Sequence, residues 1–160
     1  MRKSLIHPDA KPPLDTGPWL DLEAVGQVQI SSEDPLFPIE HALGPTASTG
    51  WRAAVPGPQI IRLVFDEPIE IHQIQIHFIE RTAERSQEFS LYAETVGSPL
   101  HELLRQQFTF SPHGATEEIE DFQLNLAQVT MLELRIDPDR SHDPKLSQSY
   151  VTLAALRIRS

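Results

Sequence analysis

Gln73-Ile74-Gln75-Ile76-His77-Phe78 sets an apolar residue at every second position. A side-chain period of two puts Ile74, Ile76 and Phe78 on one face of an extended strand and Gln73, Gln75 and His77 on the other. The same alternation returns where Phe122, Leu124 and Leu126 interleave with Asp121, Gln123 and Asn125, and where Leu132, Leu134 and Ile136 interleave with Glu133, Arg135 and Asp137. One face packs on a core while the other meets water, which is the signature of a largely antiparallel β protein.

Working outward, Ile61, Leu63 and Phe65 share a face of a strand that the turn Asp66-Glu67-Pro68 is expected to close. Ile69 and Ile71 lie on odd positions but Ile74, Ile76 and Phe78 on even ones, so a bulge is expected near His72 and Gln73. Val151 and Leu153 shift phase against Leu156 and Ile158, which predicts a second bulge near Ala155. Trp19-Leu20-Asp21-Leu22 and Val25 to Ile30 read as the first strands, and Phe37 to Gly44 as a single helical turn. Val96-Gly97-Ser98-Pro99 and Ser111-Pro112-His113-Gly114 read as turns. Roughly eight strands with three long loops suit an antiparallel jelly-roll β-sandwich better than an up-and-down barrel. Residues 1–18 carry Pro8, Pro12, Pro13 and Pro18 and read as an extended arm, followed by a single domain over residues 19–160.

A net charge of −10 disfavours nucleic acid and anionic membrane surfaces, both of which call for clustered Lys and Arg. The absence of cysteine excludes disulfides, thiol nucleophiles and thiolate metal sites. The start of the chain has no apolar run of signal-peptide length, and no stretch approaches a membrane span, so a cytoplasmic location is expected. Phosphate-binding glycine loops, nucleophile elbows and His-Glu-x-x-His pairs are all missing, and a noncatalytic protein is expected.

The order of the parts resembles the discoidin, or factor V/VIII type C, domains of the galactose-binding-like fold. The resemblance rests on Ile30-Ser31-Ser32-Glu33, Ala42-Leu43-Gly44 followed by Thr49-Gly50-Trp51, Ile60 to Phe65 with Pro68 and Ile74-Gln75-Ile76, Phe89 to Ala93, and Leu134-Arg135-Ile136. Arg105 to Pro112 is also similar to small bacterial carbohydrate-binding or discoidin-like proteins. The resemblance implies a noncatalytic recognition module whose ligand, often a sugar and sometimes a protein or a lipid head group, sits on loops at one tip of the sandwich. It also implies that Trp51 packs in the core. Leu43 stands where the family usually has an acidic residue, and Leu153-Ala154-Ala155-Leu156 lacks the Glu that accompanies a structural calcium, so no cofactor is expected.

Candidate ligand contacts are Glu80, Arg81 and Arg85 in one polar loop, Arg140 and His142 in a second, and His41 in a third. Arg presents a planar fork of donors to hydroxyls or carboxylates, and Glu supplies matching acceptors. The acidic run Glu117-Glu118-Ile119-Glu120-Asp121 reads as a solvated guard on a sheet edge. The favoured expectation is a carbohydrate-binding module. The alternative is a protein-interaction or assembly subunit, in which the acidic surface docks a basic partner and the arm offers a route to a homo-oligomer.

Overall fold

The computed structural model describes residues 3–5, 8, 18–44, 49–145 and 148–160. The arm expected at residues 1–18 therefore falls largely outside the described residues. Among the described residues there are seven strands: β1 (Gly26–Ile30), β2 (Trp51–Arg52), β3 (Gln59–Ile79), β4 (Arg85–Thr95), β5 (Ser98–Phe110), β6 (Glu117–Asp137) and β7 (Thr152–Arg159). Two single-turn helices, α1 (Leu22–Val25) and α2 (Glu40–Leu43), complete the elements. All of the strand pairings are antiparallel.

The architecture follows from two strands of 21 residues each. The first part of β3 pairs with β1 and with the last part of β6, and β6 continues the layer to β4 and β5. The last part of β3 pairs with the first part of β6 and with β7, which pairs with β2. The pairing thus forms one hydrogen-bonded sheet folded into two layers. Phe78 of one layer meets Phe89 of the other with ring centroids 5.5 Å apart, and Phe89 meets Phe122 at 6.3 Å. Ile74, Ile76, Leu91, Leu153 and Ile158 are wholly buried between the layers. Burying one such side chain contributes about 1.5–3 kcal/mol.

The expected strand ending at Asp66-Glu67-Pro68 is instead a bend within β3. These three residues bulge outward, exposed, where the pairing with β6 is interrupted between Val64 and Ile69. Pro68 has no N–H to give a ladder, so the chain bends at the place where no ladder bond is required. Opposite it, Gln128 takes a φ of 54°, which lets β6 turn the same corner. Because β3 and β6 each serve both layers, seven strands do the work for which eight were expected.

The pairing slips between Ile71 and Gln73, where consecutive Gln73 and Ile74 are both buried, as the change of phase requires. A second slip lies between His77 and Phe78 against Ala155 and Leu153. Trp19 to Leu22 is not a strand. Leu22 opens α1, and Leu20 is held by an N–H bond of 2.8 Å to the Ile158 carbonyl. Trp51 is fully buried, and its Nε1 donates to the Ser32 carbonyl at 3.1 Å. No helix among the described residues is long and apolar enough to cross a membrane.

Gly50 and Gly97 have φ of +82° and +83°, but a Cβ on Gly50 would lie 2.5 Å from the Leu153 carbonyl oxygen, whereas at Gly97 it would meet open space. Gly97→Ala should therefore cost only the left-handed backbone penalty of about 1–2 kcal/mol. Gly50→Ala should cost clearly more, because the β2–β7 contact must open as well. Urea denaturation of the two variants checks this, and equal losses would contradict it.

Candidate functional site

The topology sends five connections to one end of the sandwich. Residues 31–50 join β1 to β2, 53–58 join β2 to β3, 80–84 join β3 to β4, 111–116 join β5 to β6, and 138–151 join β6 to β7. Backbone bonds tie them together: Glu80 N–H to Thr116 O (2.9 Å), Gly57 N–H to Ser149 O (3.3 Å) and Arg140 N–H to Ser86 O (2.8 Å). The 138–151 connection is organised from within by Asp139, nearly buried, whose carboxylate accepts from the Ser141 hydroxyl (2.6 Å) and from the Asp143 N–H (3.0 Å).

Arg85 is the anchor of this end. It is the first residue of β4, its side chain is only 1% exposed, and it bonds Glu80 Oε1 at 2.7 Å, Gln87 Oε1 at 2.8 Å and the Pro138 carbonyl at 2.7 Å. Its guanidinium also lies 4.9 Å from the centre of the Phe110 ring. The sequence suggested an exposed donor; the structure has a buried cation that fixes two loops. Burial pushes the Glu80 carboxyl up, but Arg85 and the Thr82 N–H outweigh it and hold Glu80 below the usual carboxylate range.

The remaining candidates are spread around the rim. Arg81 is exposed, 3.8 Å from Glu117. Arg140 turns toward the outer face of the β1–β5 layer, where its Nε donates to Glu88 at 2.8 Å and its Nη1 to Gln107 at 3.1 Å. His142 is exposed, with Nε2 3.5 Å from Asp137 Oδ2. His41 sits in α2, its Nδ1 3.0 Å from the Thr49 hydroxyl. Only Glu80 and Arg85 are brought into direct contact.

An open cleft of about 320 Å³ lies between the 80–84 and 138–151 connections. Arg52, Glu80, Thr82, Lys145, Ser149 and Tyr150 line it, with the Arg52 guanidinium 5.2 Å from the centre of the Tyr150 ring. Sequence reasoning singled out only Glu80 of these. Arg52 lies on β2 and Tyr150 far along the chain, and no spacing rule links them. A second hollow, of about 360 Å³, lies on the outer face of the β1–β5 layer beside Tyr92, Arg105 and Arg135. There Glu133, almost wholly buried, accepts from Arg62 Nε (2.7 Å) and Arg135 Nε (2.6 Å). Arg135 also stacks 4.0 Å from the centre of the Tyr92 ring.

Glu118 departs from the expected solvated edge. It is 1% exposed and faces inward, and neither carboxylate oxygen has a hydrogen-bond partner among the described residues. Burial, reinforced by the neighbouring Glu120 carboxylate and opposed by Arg85, pushes it up to about 8. Among the described residues no group of three or more His, Asp or Glu is arranged to hold a metal ion.

No family model matches this sequence, and no curated protein matches it either. Solved structures do match. A pectin-binding carbohydrate-binding module superposes with a TM-score of 0.56 at 19% identity, over 85% of this chain and 91% of that one. The family 32 carbohydrate-binding module of NanJ from C. perfringens, solved with galactose, gives 0.58 at 12% identity, over 88% and 97%. The chain has the galactose-binding-like β-sandwich fold. That fold is also found in XRCC1, solved bound to the DNA polymerase β catalytic domain, with a TM-score of 0.58 at 18% identity over 85% of this chain and 96% of that one.

Two outcomes are expected from the buried charges. Arg85→Ala should lower stability by about 3–5 kcal/mol, because it leaves Glu80 without its buried partner. Arg81→Ala should stay within about 0.5 kcal/mol. Chemical denaturation distinguishes these, and similar small losses would contradict the assignment of Arg85 as anchor. A carboxyl whose pKa rises on folding favours the native state fully below its unfolded value, and that benefit is lost as pH rises toward about 8. Melting temperatures should therefore fall across this window in the wild type and fall much less in Glu118→Gln; parallel profiles would refute the assignment.

Proposed function

We propose that this chain is a noncatalytic glycan-binding module that holds its sugar at the five-loop end of the sandwich. The observation that carries the reading is the open cleft there, which combines a phenol ring, a hydroxyl on each wall, an ionised carboxylate and two cations. Its volume of about 320 Å³ falls within the range of small-ligand sites. Sugars present hydroxyls for paired donors and acceptors and an apolar ring face for an aromatic. Glu80 accepts, Thr82 and Ser149 both donate and accept, and Tyr150 offers both an apolar body and a polar tip.

Arg81, Arg140, His142 and His41 stand at the rim in this reading, where a longer glycan would reach them. Arg85 acts through Glu80, holding its carboxylate toward the cleft. Glycoside hydrolysis calls for two opposed carboxyls, one of them an acid kept protonated. Glu80 is the one carboxylate among the residues lining the cleft, and Arg85 keeps it ionised, which supports binding over chemistry. The fold shared with solved carbohydrate-binding modules supports the same reading.

A protein-assembly role is the second reading. What favours it is the outer hollow beside Tyr92 and Arg135, together with the neighbouring Ile60, 38% exposed. A protein complex of the same fold is known in XRCC1 with its polymerase partner.

A glycan array followed by calorimetry tests the first reading. At least one glycan is expected to bind, and Tyr150→Ala should weaken it about tenfold or more without changing the melting temperature. No binding of any glycan at millimolar concentration, beside a stoichiometric protein partner that survives excess sugar, would favour assembly instead.

A further inference from the structure

We infer that the glycan taken up by the cleft is an acidic one, whose sugar carboxylate is bound by Arg52 and Lys145; the inference rests on the glycan reading above. The chain carries 23 acidic and 13 basic residues, so carboxylate partners for its cations are abundant. Most arginines of the described sandwich use them. Arg62 lies 2.6 Å from Glu133, Arg85 2.7 Å from Glu80, Arg105 2.7 Å from Glu102, Arg135 2.6 Å from Glu133 and Arg140 2.8 Å from Glu88.

Arg52 and Lys145 are different. Both are exposed, both line the same cleft, and no carboxylate among the described residues pairs with either. The one acid in the cleft wall, Glu80, is already neutralised by Arg85 at 2.7 Å. The cleft therefore holds two uncompensated positive charges in a protein of net charge −10. An anion entering it gains both charges and displaces no internal ion pair.

The geometry of Arg52 suits a carboxylate. The Tyr150 ring covers one side of the guanidinium at 5.2 Å, and the side-chain N–H donors, which lie in the guanidinium plane, make no hydrogen bond within the described residues. A planar fork with its donors unused matches a planar carboxylate through two parallel bonds. Lys145 adds a compact point charge from the 138–151 connection, in the cleft where Ser149 and Thr82 offer hydroxyls for the rest of the ring. A uronic acid, a sugar whose C6 is a carboxylate, satisfies all of these groups at once; the corresponding neutral hexose leaves the two cations unanswered.

Calorimetry with matched oligosaccharides that differ only at C6 tests this: oligogalacturonate against oligogalactose, and oligomannuronate against oligomannose, with galactose 6-sulfate oligomers as a third arm. The uronate of at least one pair should bind about tenfold tighter or more than its neutral counterpart, since a charge-assisted pair is worth at least that factor. The advantage should shrink as salt is raised. The double variant Arg52→Gln with Lys145→Gln should bring the uronate's affinity down to that of its neutral counterpart measured on the same variant, while keeping the melting temperature. Equal affinities within every pair, tighter binding of the sulfate ester, or a uronate preference that survives in the double variant would each overturn the inference while leaving glycan binding intact. Binding by neither member of any pair would overturn the glycan reading together with it.

Discussion

Everything in this protein depends on β3 and β6 staying paired with each other through a corner. Each is 21 residues long, and their antiparallel ladder runs from Gln59 against Ile136 to Ile79 against Glu117. Backbone donors and acceptors buried between two layers must be satisfied. A strand pair that turns together keeps its partners on both sides of the bend, apart from the short interruption at residues 65–68. The bend is tolerated because Pro68 has no donor to lose and because Gln128 accepts a left-handed backbone opposite it. From this one arrangement follow two facing layers, seven strands in place of eight, and the delivery of five connections to the same end.

Charge at that end is used in two distinct ways. Arg85 is enclosed and bonded through Nε and Nη1, so its role is positional: it draws Glu80 and the Pro138 carbonyl to one point and thereby sets the distance between two walls of the cleft. Arg52 and Lys145 are exposed and, among the described residues, have no carboxylate partner; in the proposed reading they face the ligand. The outer face of the β1–β5 layer lies between these extremes, with Glu133 buried beneath two arginines that cover it. Burial pushes the Glu133 carboxyl up, but Arg135 and Arg62 outweigh it and keep it ionised. That ribbon closes on itself, whereas the cleft does not.

Much of the fold was legible in the chain because period-two alternation is a local property. Ile74, Ile76 and Phe78 are buried as the pattern requires, and both changes of phase coincide with slips in pairing. Pro68 misled because a proline among acidic residues reads as a turn, and only the partner strand shows that the ladder resumes beyond it. The site was legible in part. Polar loops drew attention to Glu80 and Arg85, but exposure depends on which residues the neighbouring strands and connections supply. Phe110 and Pro138 reach Arg85 from elements far along the chain, and Gln87 from two residues away on the same strand. Glu118 was misread for the same reason, since an acidic run gives no hint that one member turns inward. Arg52 and Tyr150, 98 residues apart, meet only because β2 pairs with β7.

We propose that recognition occurs at the five-loop end and not on the outer face of the β1–β5 layer. Backbone amide chemical shifts, followed by NMR as the best-binding oligosaccharide is added, address it most directly. Shifts are expected at Arg52, Thr82, Ala83, Ser149 and Tyr150, with the Val96–Gly97 turn at the far end unmoved. Shifts centred on Ser90, Tyr92 and Arg135, with Thr82 and Tyr150 silent, would contradict it.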